Sequence, residues 1–185
     1  MKTKKGFTLA EILITLTIIS TAAALTVPQI INNTIKAQAG PTLARAIQQI
    51  ETGIQEYFIY KSKEKQDDGS PWVNYTKFSD INSNIDPKEE LAAFLGLNYV
   101  GPENIASKNL NKYKAKNYSY EVFLEDKINL ENDSATLYID TNGLEKKPNE
   151  EGKDLFEFGI KNSGKVVPIG DEAKEVVKNG FKVKY

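Results

Sequence analysis

Residues 7–28 read FTLAEILITLTIISTAAALTVP, and Glu11 is the only charged side chain in this run. As a helix that rises about 1.5 Å per residue, the 21 residues before the proline would span about 31 Å, enough to cross the hydrocarbon core of a bilayer. Three lysines precede the run, and the next basic residue is Lys36. The positive-inside rule therefore predicts a single-pass membrane helix with a cytoplasmic amino terminus and an extracytoplasmic remainder.

Two ordinary kinds of segment begin in this way. One is a secretory signal peptide that is cut after the small residues at positions 22–24, and the other is an uncleaved signal anchor. Glu11 argues against both, because a carboxylate near the centre of a membrane segment costs about 2.5–3.5 kcal/mol and is normally retained for a partner. Neither kind of segment supplies that partner.

The residues around Glu11 form a motif. Positions 4–11 read KKGFTLAE, which resembles the cleavage site of type IV prepilins and of type II secretion pseudopilins. The resemblance implies that a dedicated membrane peptidase cuts after Gly6 and methylates the new amino terminus on Phe7. It also places the glutamate fifth in the mature chain and a helix-breaking proline, here Pro28, near the outer end of the apolar run. Ala10 departs from the pattern, because the family more often has a branched aliphatic residue there.

The same resemblance implies a function. It predicts a structural subunit, not an enzyme, of a type IV pilus-like or type II secretion-like filament. The subunit would be held in the inner membrane before assembly and would lie in a periplasmic or extracellular filament afterwards. Its partners would be copies of itself, related minor pilins or pseudopilins, the prepilin peptidase, and an assembly platform with its ATPase. The alternative is a membrane-anchored or secreted extracytoplasmic binding domain with a conventional signal or anchor.

Glu11 has a specific role in that prediction. After cleavage, the amine of Phe7 would have a pKa of about 7.7–8.0 and would be largely cationic at neutral pH. In the low dielectric of the membrane, Glu11 of one subunit would form a salt bridge with the Phe7 ammonium of its neighbour. Leaving either charge unpaired would cost several kcal/mol, so the pair would set the axial register between subunits.

The chain divides into four predicted segments: a leader at 1–6, a transmembrane and assembly helix at 7–28, an amphipathic helix continuation at 29–62, and a globular β-rich head at 63–185. A kink or local melting is expected at Pro28, because proline removes a helical hydrogen bond. Gly40-Pro41 is expected to begin a new helical stretch that runs to about Lys61. Its apolar residues recur every three or four positions and predict a stripe that packs on the head: Leu43, Ile47, Ile50, Ile54, Tyr57 and Phe58.

The head is predicted to be a small antiparallel sheet, which together with the long helix gives an α+β, pilin-like fold. Strands are expected where aromatic and branched residues are dense, at 118–125, 135–140, 155–161, 165–169 and 181–185. Asn162-Ser-Gly164 is typical of a hairpin turn, and a short helix is expected at 171–178. Asp86-Pro87-Lys88-Glu89 is typical of a helix start, with Asp86 as the N-cap and Glu89 completing a capping box.

A loop between two predicted strands carries a further motif. Residues 140–156 read DTNGLEKKPNEEGKDLF, which resembles a loop common in pilin-like proteins. Turns held by side-chain hydrogen bonds explain its asparagines and glycines and are the default interpretation. Calcium is the alternative, because Asp140, Asn142, Asn149 and Asp154 offer hard oxygen ligands, and some pseudopilins bind calcium in their carboxy-terminal loops. The spacing is not that of an EF-hand, and no other cofactor is indicated.

Composition narrows the remaining function classes. The chain has no cysteine and no histidine, so it lacks a thiol nucleophile, a disulfide framework, and the usual general base and zinc ligand. Its formal net charge of −1 would become −4 without the three leader lysines, which argues against a nucleic-acid partner. Tyr113, Tyr118, Tyr120 and Tyr138 could stack on DNA bases beside a cluster of lysines at positions 108–116. Strand formation explains these tyrosines better. Carboxylates on strands, such as Glu121 and Asp140, are expected to face solvent.

Overall fold

The computed structural model of the 185-residue chain describes residues 6–71, 73–81, 84–129, 134–146 and 149–184. The chain forms two compact units, residues 1–37 and 38–185. Its helices are α1 (Leu9–Asp67) and α2 (Asp171–Lys178), with a 3₁₀ turn at Phe78–Asp80 and a π-helical turn at Pro87–Leu91. Of the predicted leader, residues 1–5 lie outside the described part of the chain.

In the first unit, α1 is apolar on all sides. Residues Leu9–Ile30 have a mean hydropathy of 1.9 and are exposed throughout, so by length and composition they could span a membrane. Threonine hydroxyls in this stretch donate to carbonyl oxygens one turn earlier, as Thr26 does to Ala22 at 2.9 Å, which satisfies polar groups on an otherwise apolar helix. The helical assignment continues through Pro28. The helix is therefore not locally melted at this residue, and the predicted kink stays a prediction.

In the second unit, α1 buries the predicted apolar stripe. Ile47 is only partly buried, and the other five members are at most 2% exposed: Leu43, Ile50, Ile54, Tyr57 and Phe58. The helix ends at Asp67 rather than near Lys61. Burial on one face and solvent on the other is the expected result of apolar residues at helical spacing.

The predicted helical start at Gly40-Pro41 is wrong, because α1 passes through both residues without a break. The glycine instead permits a close backbone contact. A Cβ atom built on Gly40 would lie 1.8 Å from the carbonyl oxygen of Phe181, so any side chain there would collide with the backbone of the carboxy-terminal segment.

Within the described residues, the head contains eight strands: β1 (Asn84–Ile85), β2 (Leu97–Ile105), β3 (Lys108–Ala115), β4 (Glu121–Leu124), β5 (Ile128–Asn129), β6 (Ser134–Asp140), β7 (Leu155–Lys161) and β8 (Val166–Pro168). Six of them form an antiparallel sheet in the order β2-β3-β4-β6-β7-β8, while β1 pairs with β5. The predicted α+β, pilin-like layout of a long helix and an antiparallel sheet is confirmed.

The sheet has a core on each face. On one face, Val122, Ile139 and Phe156 oppose one another across β4, β6 and β7 and join the buried stripe of α1 in the main core. On the other face, a smaller core holds Ile105, Leu110, Phe123, Tyr138 and Leu155, with Leu144 packed against it. Leu144 belongs to the loop between β6 and β7, so this loop covers the outer face of the sheet.

Several local predictions are confirmed. The bounds of β7 and α2 agree with those expected at 155–161 and 171–178. Gly164 of the predicted hairpin turn has a φ of 78°, and the N–H of Lys161 donates to the carbonyl of Lys165 at 2.8 Å. In each case the signal is local, as turn chemistry or an apolar period.

The capping prediction at Asp86 is confirmed, with one change. Asp86 Oδ1 accepts hydrogen bonds from the backbone N–H groups of Lys88 at 2.9 Å and Glu89 at 3.3 Å. However, Glu90 rather than Glu89 accepts from the N–H of Asp86, at 3.4 Å. The turn that follows is π-helical, with the N–H of Ala92 bonded to the carbonyl of Pro87, and this wider turn places the later glutamate over the cap.

One hairpin was not predicted, and one predicted strand is wrong. The hairpin of β2 and β3 is absent from the sequence-based prediction, because its turn residues Ala106 and Ser107 have φ values of 47° and 63° without the glycine or asparagine that usually signals this conformation. The final strand expected at 181–185 does not form over its described residues, 181–184. Phe181 has a φ of 61°, which turns the chain out of the extended conformation.

Candidate functional site

Thr8 and Glu11 close the amino-terminal end of α1. Oε2 of Glu11 accepts hydrogen bonds from the backbone N–H of Thr8 at 2.8 Å and from the Thr8 hydroxyl at 2.9 Å. In return, the backbone N–H of Glu11 donates to the Thr8 hydroxyl oxygen at 3.2 Å. This reciprocal arrangement is a capping box, and it satisfies N–H groups that a helix otherwise leaves unpaired in its first turn.

The capping box changes the interpretation of Glu11. No partner within its own chain was expected for this carboxylate, and in the structure it binds Thr8. A threonine followed three residues later by a glutamate, just before an apolar run, is the sequence signal of a capping box, so Thr8 could have been identified. Of the two carboxylate oxygens of Glu11, Oε2 is the one that accepts hydrogen bonds from the described residues. Its Oε1 is therefore available to another donor.

Gly6 and Phe7 precede α1 without regular secondary structure. Phe7 is 85% exposed, and a Cβ atom built on Gly6 would meet no other atom within 4 Å. Packing against the described residues therefore does not require a glycine here. The predicted cleavage and methylation at these residues stay predictions.

Of the four residues predicted to bind calcium, Asp140 ends β6 and the other three lie in the loop between β6 and β7, where Asp154 joins the two sides of the loop. Oδ2 of Asp154 accepts from the side-chain amide of Asn142 at 3.1 Å and from the backbone N–H of Asn149 at 2.8 Å. Its Oδ1 accepts from the N–H of Glu150 at 2.8 Å. The loop is thus stapled by side-chain hydrogen bonds, as the default interpretation expects.

Asp140, the fourth of these residues, is fully buried and uses only one of its oxygens. Oδ1 accepts from the N–H groups of Asn142 at 3.0 Å and Gly143 at 2.8 Å, while Oδ2 has no hydrogen-bond partner in the part of the chain that the structure describes. Burial raises the pKa of Asp140 to about 6, and the carboxylates of Asp154 and Glu121 act in the same direction, against the two backbone hydrogen bonds.

Two further oxygens in the loop lack a partner among residues 134–146 and 149–184 and the other described ranges. The side-chain oxygens of Asn142 and Asn149 are buried and accept no hydrogen bond from these residues. Together with Oδ2 of Asp140 they make three buried acceptors without a donor, a pattern that calls for a water or a cation. In the described part of the chain, no group of three or more acidic, histidine or cysteine side chains is arranged around a metal position. Two of the three acceptors here are amides, which such a group does not include.

Glu121 ties the strands to the same loop. It pairs with Lys112 at 3.0 Å and with Lys114 at 3.5 Å, and it accepts from the N–H of Leu144 at 3.0 Å. Glu121 is 3% exposed and lies opposite Asp140 in the ladder. The prediction that these two carboxylates face solvent is wrong, because the loop covers this end of the sheet.

Of the four tyrosines considered for stacking on DNA, Tyr118 is 43% exposed, and the other three are part of the interior of the head. Tyr113, Tyr120 and Tyr138 are at most 2% exposed, and Lys112 and Lys114 are paired with Glu121. These tyrosine rings are therefore not accessible to bases.

Comparison with known proteins bears on the amino-terminal site. Residues 1–27 match the family model described as the prokaryotic N-terminal methylation motif, the prepilin-type signature of type IV pilins and pseudopilins. No curated protein and no solved structure matches the chain significantly. The matched residues hold Gly6, Phe7, Thr8 and Glu11, so the motif supports the resemblance found in the sequence.

Proposed function

We propose that this chain, which carries a prepilin-type methylation motif at residues 1–27, is a structural subunit of a type IV pilus-like or type II secretion-like filament. One observation carries the proposal: the motif coincides with an exposed apolar helix, Leu9–Ile30, whose only charged side chain is Glu11 in its first turn. An apolar helix of this length is covered either by lipid or by other helices. Lipid would cover the helix while the subunit is in the membrane, and the helices of other subunits would cover it in the filament.

In this proposal the chemistry is performed on the chain. A prepilin peptidase cuts after Gly6 and methylates the amine of Phe7, which remains cationic near neutral pH. Thr8 holds Oε2 of Glu11 and thereby fixes the direction in which Oε1 is presented. The ammonium of Phe7 in a neighbouring subunit then binds Oε1, because neither charge can stay unpaired between apolar helices at low cost.

The amino terminus and the state of assembly test the proposal together. Mass spectrometry of the mature protein should show a chain that begins with methylated Phe7, and electron microscopy of sheared surface material should show filaments that contain it. A mature chain that begins at Leu25 or at Met1 would instead support the alternative, a binding domain with a conventional signal or anchor.

Glutamine at position 11 separates capping from charge pairing. Glu11→Gln keeps an oxygen that can accept from Thr8, since glutamine also completes capping boxes, but it removes the negative charge. We expect normal cleavage and little or no filament from both Glu11→Gln and Glu11→Ala. Normal filaments from Glu11→Gln would show that the carboxylate acts only as a cap, and the proposed pairing with Phe7 would have to be given up.

The unpaired oxygens of the loop favour a second role, the binding of Ca²⁺. Asp140, Asn142 and Asn149 would bind the cation through these three oxygens, and Asp154 would position the two asparagines from its place between them. Calcium accepts such a mixed set of carboxylate and amide oxygens. The cation would neutralise Asp140 and fasten the loop over the outer core.

Titration calorimetry of the metal-free full-length chain in detergent tests calcium binding. We expect one binding event per chain in the wild type and none in Asp140→Asn, which keeps the size of the side chain but removes its charge. An equal affinity in both proteins would mean that this loop is not the site.

A further inference from the structure

Arg45 is the single arginine of the chain, whose other 23 basic side chains are lysines. It is exposed on α1. None of the ion pairs found in the described part of the chain includes it. The guanidinium therefore has its charge and its donors available to a group outside this chain.

The guanidinium of Arg45 lies near one tyrosine ring, which contacts a second. It lies 5.1 Å from the centre of the Tyr118 ring, and Tyr118 is nearly parallel to Tyr120, at 13° and a centroid distance of 5.9 Å. Tyr120 is 1% exposed, so the stack runs from the core to the surface. A guanidinium in a cation–π contact with a ring still has N–H donors to offer, and two of them can bind a carboxylate through parallel hydrogen bonds.

Arg45 lies at one end of a groove on the surface of the head. This Arg45 groove has a volume of about 420 Å³ and is lined on α1 by Gln48, Thr52 and Glu56 and across from it by Asn117 and Tyr118. Arg45 and Glu56 are eleven residues apart, which is about 16 Å along a helix. The groove therefore has a cationic end and an anionic end, with polar side chains between them.

We propose that the Arg45 groove receives a carboxylate side chain of a second copy of this chain. The inference rests on the proposed function, which brings copies side by side. Charge complementarity favours this occupant, because the cationic end of the groove would meet a chain with an excess of acidic side chains. Without the three lysines of its leader, the chain has 25 acidic and 21 basic side chains. A lysine at this position would carry the same charge on a flexible side chain. The planar guanidinium of arginine offers a pair of parallel donors, which would set the angle between two heads.

A photo-crosslinking amino acid at Gln48 tests the inference in the full-length chain in the producing cell. Gln48 is exposed and lies beside Arg45 in the groove. Irradiation should give a dimer in which position 48 is joined to a peptide of this chain that contains Asp or Glu. Arg45→Ala should lower the dimer yield by about tenfold, as expected for loss of one charge-assisted contact, and Arg45→Lys should restore only part of it.

Lys63→Ala is the matched control, because Lys63 is an exposed cation on the same helix and its loss should leave the dimer yield unchanged. Exchanging the charges, with Arg45→Glu and a lysine at the identified carboxylate, should restore the crosslink, and failure to restore it overturns the inference.

Two further results would overturn the inference. The first is an unchanged yield in Arg45→Ala with filaments still present, which leaves the proposed filament function intact. The second is a crosslink to nucleic acid, to another protein, or to a peptide without an acidic residue. If the wild-type chain never self-associates after correct trimming, the filament proposal fails, and the groove inference fails with it.

Discussion

Replacing Asp140 by asparagine should stabilise the calcium-free head above pH 6. Asp140 is fully buried, and its pKa rises from 3.8 in the unfolded chain to about 6 in the folded one. The folded state binds this proton more tightly than the unfolded state does. The protonated carboxyl therefore makes its full contribution to folding stability below about pH 4, and this contribution is lost as the pH rises through 6. The pKa differs by about 2.2 between the two states, and a difference of one in pKa corresponds to about 1.36 kcal/mol. The ionised carboxylate therefore costs about 3 kcal/mol of folding free energy at pH 7.5.

Asparagine removes that cost without removing the turn. Its side-chain oxygen can still accept from the N–H groups of Asn142 and Gly143, which Asp140 Oδ1 binds in the wild type. Its amide N–H₂ group takes the place of Oδ2, which has no partner among the described residues. The expected gain at pH 7.5 is therefore up to about 3 kcal/mol, or an increase in Tm of about 6–12 °C for a domain of this size.

Thermal unfolding of the full-length chain in detergent with a calcium chelator measures this gain at pH 7.5 and at pH 4.0. The advantage of Asp140→Asn should be large at pH 7.5 and close to zero at pH 4.0. Asp67→Asn removes an exposed carboxylate at the end of α1 and should change stability by less than about 0.5 kcal/mol at either pH.

Calcium should reverse the order of the two proteins. A free calcium concentration 1,000 times the Kd would stabilise the wild type by about 4.1 kcal/mol, which exceeds the advantage of about 3 kcal/mol that Asp140→Asn has without calcium, while Asp140→Asn would gain nothing. If Asp140→Asn is equal to or less stable than the wild type at pH 7.5 in chelator, the carboxylate is not an uncompensated buried charge, and the reasoning from its burial is refuted.

Three further predictions follow from single residues. Gly6→Val should leave the uncleaved precursor in the membrane, which intact-mass measurement would detect as a chain that keeps Met1; a mature Phe7 terminus in this variant would contradict the assigned cleavage site. Thr8→Val removes the hydroxyl that Glu11 binds and should lower filament yield with cleavage retained, whereas Thr8→Ser should restore it; equal yields from both variants would argue against an orienting role. Gly53→Ala should lower the free energy of unfolding by about 1–3 kcal/mol, measured by thermal unfolding, despite alanine's better helix propensity. The reason is that its Cβ would lie 2.5 Å from the carbonyl oxygen of Phe94. An unchanged Tm would show that the two backbones can separate.

The parts of the fold that were predictable are those with a local signal. The stripe of α1, the bounds of β7 and α2, and the turn at Gly164 depend on periodicity, capping and turn chemistry within a few residues. The prepilin-type motif is local too, and so is the capping box of Thr8 and Glu11. By contrast, the hairpin of β2 and β3 could not be predicted in this way. Its turn residues, Ala106 and Ser107, adopt positive φ values because the paired strands hold them there.

The same contrast applies to the candidate sites. Residue types alone indicated that Asp140, Asn142, Asn149 and Asp154 could bind a cation, but spacing along the chain does not determine whether side chains converge. The structure joins Asn142 and Asn149 to Asp154 and the backbone of Asn142 to Asp140 by hydrogen bonds, and within the described residues three of their oxygens have no donor. The Arg45 groove had no signal in the sequence, since Arg45 and Tyr118 are far apart along the chain and meet only when the segment after β3 lies beside α1.

By itself, the amino-acid sequence determined that this protein begins with a prepilin-type motif and a membrane-length helix and continues into an amphipathic helix and a β-rich head. These features depend on the order of side chains within one or two turns, which the chain carries before it folds. Only the tertiary structure decided which carboxylates are buried, which oxygens are left unpaired, and where the single arginine stacks. Burial and pairing are properties of residues brought together from distant parts of the chain, and they exist only after the sheet has packed on the helix.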